Sequence, residues 1–219
     1  LPGFDDAHIH VQSGARSLTR AQLYPLQTVE TVLDAIRAHA ASSPDASWVL
    51  GRGWLYAPFP GGLPTAALLD RAVRERPAWM DCYDGHTGWA NTAAMRAAGI
   101  DRTTPDPPNG VIVRDEDGEP TGAFKEDAQH LVERHIPVPS EDEDRASVRL
   151  AQAAMHVLGV TAAQDAWLTP EELAFWGRIH AAGELRLRFR GALIMEPGQT
   201  LPEWRDRLDE YERVAFGLR

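Results

Sequence analysis

His8 and His10 stand one residue apart near the start of the 219-residue chain, and Asp6 precedes them by two positions. On a β-strand successive side chains alternate, so the three share one face, with the two histidine Cα atoms about 7 Å apart. Two neutral imidazoles presented by a rigid element can chelate a divalent transition metal. A nearby carboxylate can orient such a ring through its other nitrogen, and Asp6 is placed for that part. A His-x-His triplet is also found as two ordinary strand histidines. The Pro-Gly-Phe-Asp-Asp-Ala lead-in of Pro2–Ala7 favours ligands, because a buried strand has little other reason to carry two polar rings.

The remaining reactive side chains carry less. His86 follows Asp84-Gly85 at the end of a strand and precedes Trp89, so it can face a substrate or serve as a hydrogen-bonded structural histidine. Trp48, Trp54, Trp79 and Trp89 concentrate in the same stretch, where they line an apolar pocket or fill a core. His86, Trp89 and Trp54 are the candidate substrate-binding residues. Lys125 reads as a solvated surface lysine ahead of a metal-bridging one. His39, His156 and His180 fall in amphipathic helices, while His130 and His135 are off a common helical face. Cys82, the single cysteine, lies in an apolar strand and reads as a small buried hydrophobe. The acidic run Glu141–Asp144 suits the first turn of a helix, where carboxylates favour the dipole.

The elements that must position these groups follow from local pattern. Phe4–Val11 reads as a strand, and Thr28 caps a helix with Val29, Val32, Leu33, Ile36 and Ala40 inward. Trp48–Gly53 is a second strand, Tyr56–Pro64 a Pro/Gly loop, Thr65–Val73 a helix and Ala78–Tyr83 a strand. Asn91 opens a short helix that Gly99 closes. Val111–Val113 and Pro120–Phe124 flank Asp115–Gly118 as a hairpin. From Ser140 onward strands alternate with capped helices. Ser140 with Glu143 and Thr169 with Glu172 open two of them, Val160–Ala163 and Leu185–Met195 are strands, and Thr200 with Glu203 opens the last helix. That alternation implies parallel βα units.

Composition excludes several classes. The formal charge of −10 and the absence of any basic stripe argue against nucleic acid. One cysteine excludes an internal disulfide and a cysteine-rich metal cage. No run of eighteen apolar residues exists, so no transmembrane helix is expected. Nothing demands an oxidising compartment, and a cytoplasmic location is the expectation. The first residue is not Met and the last residues stop where a helix gives way to a new element, so the chain reads as a segment of a longer protein.

The opening LPGFDDAHIH resembles the first barrel strand of the amidohydrolase superfamily, P-G-hydrophobic-hydrophobic-D-x-H-x-H, with Asp5 where the family carries an apolar residue. Gly53-Trp54, Phe59–Thr65, Asp84-Gly85-His86, Asn91–Ala94 and Asp117–Gly122 follow in order. Together they resemble the family-3 branch, which includes N-substituted formamide deformylases. The resemblance implies an α/β fold: a partial (β/α)8 TIM barrel of about three strands with an α+β insert after strand 1. It implies residues 1–42 as first strand and helix, 43–139 as an inserted lid or substrate subdomain, and 140–219 as continuing βα units. It further implies His8 and His10 as ligands of one or two divalent metal ions, Zn2+ first among them. A bridging carboxylated lysine, two more histidines and a water-activating aspartate would come from strands outside this sequence. The expected reaction is hydrolysis of an amide, N-acyl or N-formyl C–N bond in a small-molecule substrate, with no nucleic-acid or membrane partner. The segment alone is expected to be inactive, and a homo-oligomer of the full-length protein stays open. A metallo-phosphoesterase and a non-catalytic fragment are the alternatives.

Overall fold

The computed structural model describes residues 3–195 and 198–216. Leu1 and Pro2 of the opening motif lie outside the described residues, as do the last three residues, on which the reading of a new element after the final helix rests. In chain order the first elements are β1 (Phe4–Ile9), α1 (Val11–Ser17), β2 (Ala21–Gln22), α2 (Val29–Ser42) and β3 (Val49–Trp54). Then come α3 (Ala66–Asp70), β4 (Ala78–Cys82), β5 (Thr87–Ala90), α4 (Thr92–Ala98), β6 (Gly110–Arg114) and β7 (Pro120–Glu126). The chain continues through α5 (His130–Glu133), α6 (Glu141–Val157), β8 (Val160–Leu168), α7 (Pro170–Ala181), β9 (Arg188–Leu193) and α8 (Leu201–Phe216). Among the described residues no helix is long and apolar enough to cross a membrane.

Two compact units partition these elements: Leu1–Leu18 with Pro139–Arg219, and Thr19–Val138. The first boundary therefore falls at Leu18 rather than at residue 42. Helix α2, which the resemblance groups with the first strand, instead buries Val32, Leu33 and Ile36 against Ala21, Leu23 and Met80 of the second unit. An amphipathic helix shows that it has a core to join, and nothing in its own pattern says which core.

The first unit holds a three-stranded sheet in the order β1-β8-β9, parallel throughout. Its core joins Val11 and Ala15 of α1, Val148, Ala151 and Met155 of α6, Ala163 and Leu168 of β8, and Phe175, Trp176 and Ile179 of α7. The capping boxes expected at α6 and α7 form, Ser140 with Glu143 and Thr169 with Glu172, each satisfying backbone N–H groups at a helix start. Strand β8 runs on to Leu168, five residues past the expected Ala163, because the parallel pairing with β1 and β9 extends its ladder. Asp144 does more than complement a helix dipole. It is 6% exposed and accepts two hydrogen bonds from the Arg16 guanidinium, both 2.6 Å, so a paired charge fastens α6 to α1.

The second unit carries a six-stranded mixed sheet in the order β2-β3-β4-β5-β7-β6. Strands β2, β3 and β4 run parallel, and β4-β5, β5-β7 and β6-β7 are antiparallel. The hairpin expected around Asp115–Gly118 is β6-β7. Strand β5 was hidden in the sequence, its four residues being too few for a readable period.

Candidate metal centre

Strand β1 ends at Ile9, and His10 stands at the N-terminus of α1 with no side-chain cap of its own. The two histidines thus sit at the C-terminal end of a parallel strand, the end at which α/β folds build their sites. The pairing of β1 with β8 is irregular there: Asp6 faces Ala163 and Ile9 faces Asp165, three steps on one strand against two on the other. Such a slip re-aims side chains, and it interrupts the even alternation that put Asp6, His8 and His10 on one face. Asp6 consequently does not orient an imidazole. Its Oδ1 accepts the backbone N–H of His8 at 3.1 Å, which fixes the turn of the strand rather than a ring.

Both histidines are exposed, and their ring centroids lie 5.7 Å apart at an interplanar angle of 83°. Imidazoles bound through nitrogen to one ion at about 2.0–2.1 Å bring their centroids to roughly 5–6 Å. The observed separation falls within that range. Among the described residues no group of three or more His, Cys, Asp and Glu side chains comes together to hold a metal. Two imidazoles are half of a four-coordinate set.

One residue of this site was not singled out by sequence reasoning. Asp165 of β8 is 2% exposed; its Oδ2 accepts the Val11 N–H at 2.8 Å and its Oδ1 accepts the Trp167 N–H at 3.2 Å. Its Oδ1 also lies 3.9 Å from His10 Nδ1. The signal was present in Val160–Leu168, VTAAQDAWL, as a lone carboxylate in an otherwise uncharged, largely apolar run. Reading the strand as ending at Ala163 left it in a loop.

In the second unit, the turn after β4 presents His86 on the surface. Its Nδ1 is 3.1 Å from Glu126 Oε2, its backbone N–H is accepted by Asp84 Oδ1 at 3.0 Å, and its carbonyl accepts the Glu126 N–H at 3.1 Å. Glu126 raises the pKa of His86, through the hydrogen bond first and the charge second. Glu126 has φ 48°, the one positive φ of a non-glycine residue among the described residues, and the bonds to His86 hold it there. The strand-end placement and the carboxylate partner leave Nε2 of His86 available to a ligand.

Trp54 and Trp89 are both 0% exposed. Each indole N–H donates to a backbone carbonyl, Trp54 to Met80 at 2.9 Å and Trp89 to Thr65 at 2.8 Å. With Phe59 they form an edge-to-face cluster with centroids 5.3–6.3 Å apart. In this structure they build the floor of the second unit's core. Cys82 is buried, donates to the Trp54 carbonyl at 3.3 Å, and burial pushes its thiol up to about 11, so it is an inert packed thiol. Lys125 lies on β7 with an exposed side chain, between Thr87 and Val111 in register.

The first unit is thus a parallel α/β unit that carries two imidazoles at the tip of its first strand. Residues 1–216 match the profile described as Amidohydrolase family. The chain is 32% identical over 165 residues to Protein LONG AFTER FAR-RED 3 of Arabidopsis thaliana, covering 75% of this chain and 28% of that protein. It is 33% identical over 193 residues to N-substituted formamide deformylase of Arthrobacter pascens, covering 84% and 35%. The solved structure of an uncharacterized metal-dependent hydrolase from Pyrococcus horikoshii superposes with TM-score 0.66 at 20% identity, over 95% of this chain and 38% of that one. The chain belongs to the amidohydrolase family, in its family-3 branch. It spans about a third of the length of the curated relatives it matches.

Proposed function

We propose that the chain contributes the first metal ligands of a divalent-metal-dependent hydrolase acting on C–N bonds, with amides, N-acyl or N-formyl amines as substrates. The observation that carries this reading is the His8–His10 pair at the C-terminal tip of β1, with ring centroids 5.7 Å apart. Family membership supports it, as does the similarity to a protein named for deformylation of N-substituted formamides. On this reading β1, β8 and β9 are the first three strands of a (β/α)8 barrel, and Thr19–Val138 is the insert. The parallel order β1-β8-β9 is the order such a barrel requires.

His8 and His10 would hold the ion, Zn2+ being the expected species. A divalent metal at such a site activates water and polarises a carbonyl oxygen. The part of this chain is to present two neutral imidazoles from a strand whose position is fixed by pairing to β8. His86, with Glu126 on its Nδ1, would offer Nε2 to a polar group of the substrate. Trp54 and Trp89 would support that turn from the core. Two ligands leave the segment without turnover by itself, so activity belongs to a protein supplying the further donors.

The test is an assay of the zinc-loaded parent protein against N-formyl amines, simple amides and phosphate monoesters. The reading expects turnover of the amide class and its loss, by about 100-fold or more, on His8→Ala with His10→Ala. Turnover of phosphate esters alone would overturn it in favour of a phosphoesterase, and amide turnover unaffected by the double substitution would remove the ligand assignment.

A further inference from the structure

We propose that Asp165 is the positioning residue of His10, its buried carboxylate holding the proton of that imidazole on Nδ1 so that Nε2 keeps the lone pair. Asp165 is 2% exposed, and a carboxylate so buried needs compensation on every lone pair. Two backbone donors supply part of it, from Val11 at 2.8 Å and Trp167 at 3.2 Å. Among the described residues, the side-chain nitrogen of a basic group that comes within 4 Å of it is His10 Nδ1, at 3.9 Å. That separation is longer than a hydrogen bond, and the proposal requires the half-exposed ring to turn toward the carboxylate.

The backbone around Asp165 is arranged to the same end. Strand register slips on both of its neighbours at this residue: against β1 between Asp6 and Ile9, and against β9 between Asp165 and Leu168. The carboxylate accepts the first N–H of α1, the residue directly after His10, and so clamps the backbone that carries the ring. A single side chain thereby sets both the position of His10 and the nitrogen it can offer. In metal sites a carboxylate behind a ligating imidazole fixes its tautomer and raises its basicity.

The inference toward a metal rests on His8 and His10 being ligands, whereas the tautomer does not. The experiment therefore reads both. Long-range 1H–15N correlation spectra of the metal-free chain at about pH 8.5, well above the ordinary imidazole pKa, report the tautomer of each ring, with His8 as internal reference. His10 is expected as Nδ1–H in the wild type, with the Nε2–H form gaining population in Asp165→Asn. Asparagine keeps the side-chain shape and one backbone acceptor, and a melting curve verifies that the variant is folded. Titration with Co2+ is expected to show about 10–100-fold weaker binding in Asp165→Asn. A wild-type His10 in the Nε2–H form overturns the proposal whether or not the variant folds. So does a tautomer unchanged by the substitution or, where the wild-type chain binds Co2+, a variant affinity within twofold of it. The expected tautomers with no Co2+ binding by the wild-type chain uphold Asp165 as the positioning residue and sink the ligand reading instead.

Discussion

At the residue scale, three carboxylates of this chain are met by groups far from them in sequence. Arg16 meets Asp144 and Val11 meets Asp165 across 128 and 154 positions. His86 meets Glu126 across 40. The last pair gives a pH prediction with a definite sign. Glu126 raises the His86 pKa above its ordinary value, so the interaction is complete below the ordinary imidazole value and is lost as pH rises through the raised one. Glu126→Gln removes the charge and should lower the His86 pKa toward the ordinary value, read from the ring-proton shifts in an NMR titration. An unchanged titration would mean that the carboxylate does not partner the ring in solution.

At the element scale, the termini of the helices are where sequence and structure agree best. Thr28, Asn91, Ser140 and Thr169 all cap the helices they precede, as does Thr65, read as the first residue of its helix, because capping needs only a side-chain oxygen reaching two or three residues ahead. Asn91 goes further. It is 0% exposed, and its side chain accepts from the Ala78 and Ala94 N–H groups while donating to the Val73 and Arg76 carbonyls, at 2.8–3.0 Å. Asn91→Ala strips four backbone groups of their partner, three of these bonds being buried, and should cost about 3 kcal/mol or more in urea unfolding. A cost under about 1 kcal/mol would mean that water or neighbouring groups replace the amide.

Helix α1 shows the converse. It is seven residues long and follows His10 with no side-chain cap of its own, since its first N–H is met by Asp165 on another strand. No local pattern could announce a helix whose cap is supplied from 154 residues away. The same holds for the slip between Asp6 and Ile9, which is a property of the pair of strands and not of β1. The His-x-His pair, the strand that carries it and the parallel alternation after Ser140 were legible because each is written in adjacent residues. Asp165, the surface pairing of His86 with Glu126 and the burial of Trp54 and Trp89 were not, because tertiary packing decides them.

At the scale of the whole molecule, the chain combines a parallel three-stranded unit bearing the imidazole pair with a contiguous second unit, Thr19–Val138, that has its own mixed sheet and core. Family membership and a span of about a third of the relatives' length frame the functional reading. Its central claim is that His8 and His10 are metal ligands. Competition between the purified chain and a chromophoric chelator for Zn2+ tests it most directly. We expect one equivalent of Zn2+, held more weakly than at a complete four-ligand site, and at least about 10-fold weaker still when either His8 or His10 is replaced by alanine. Zinc affinity and stoichiometry unchanged in the doubly substituted chain would contradict the account.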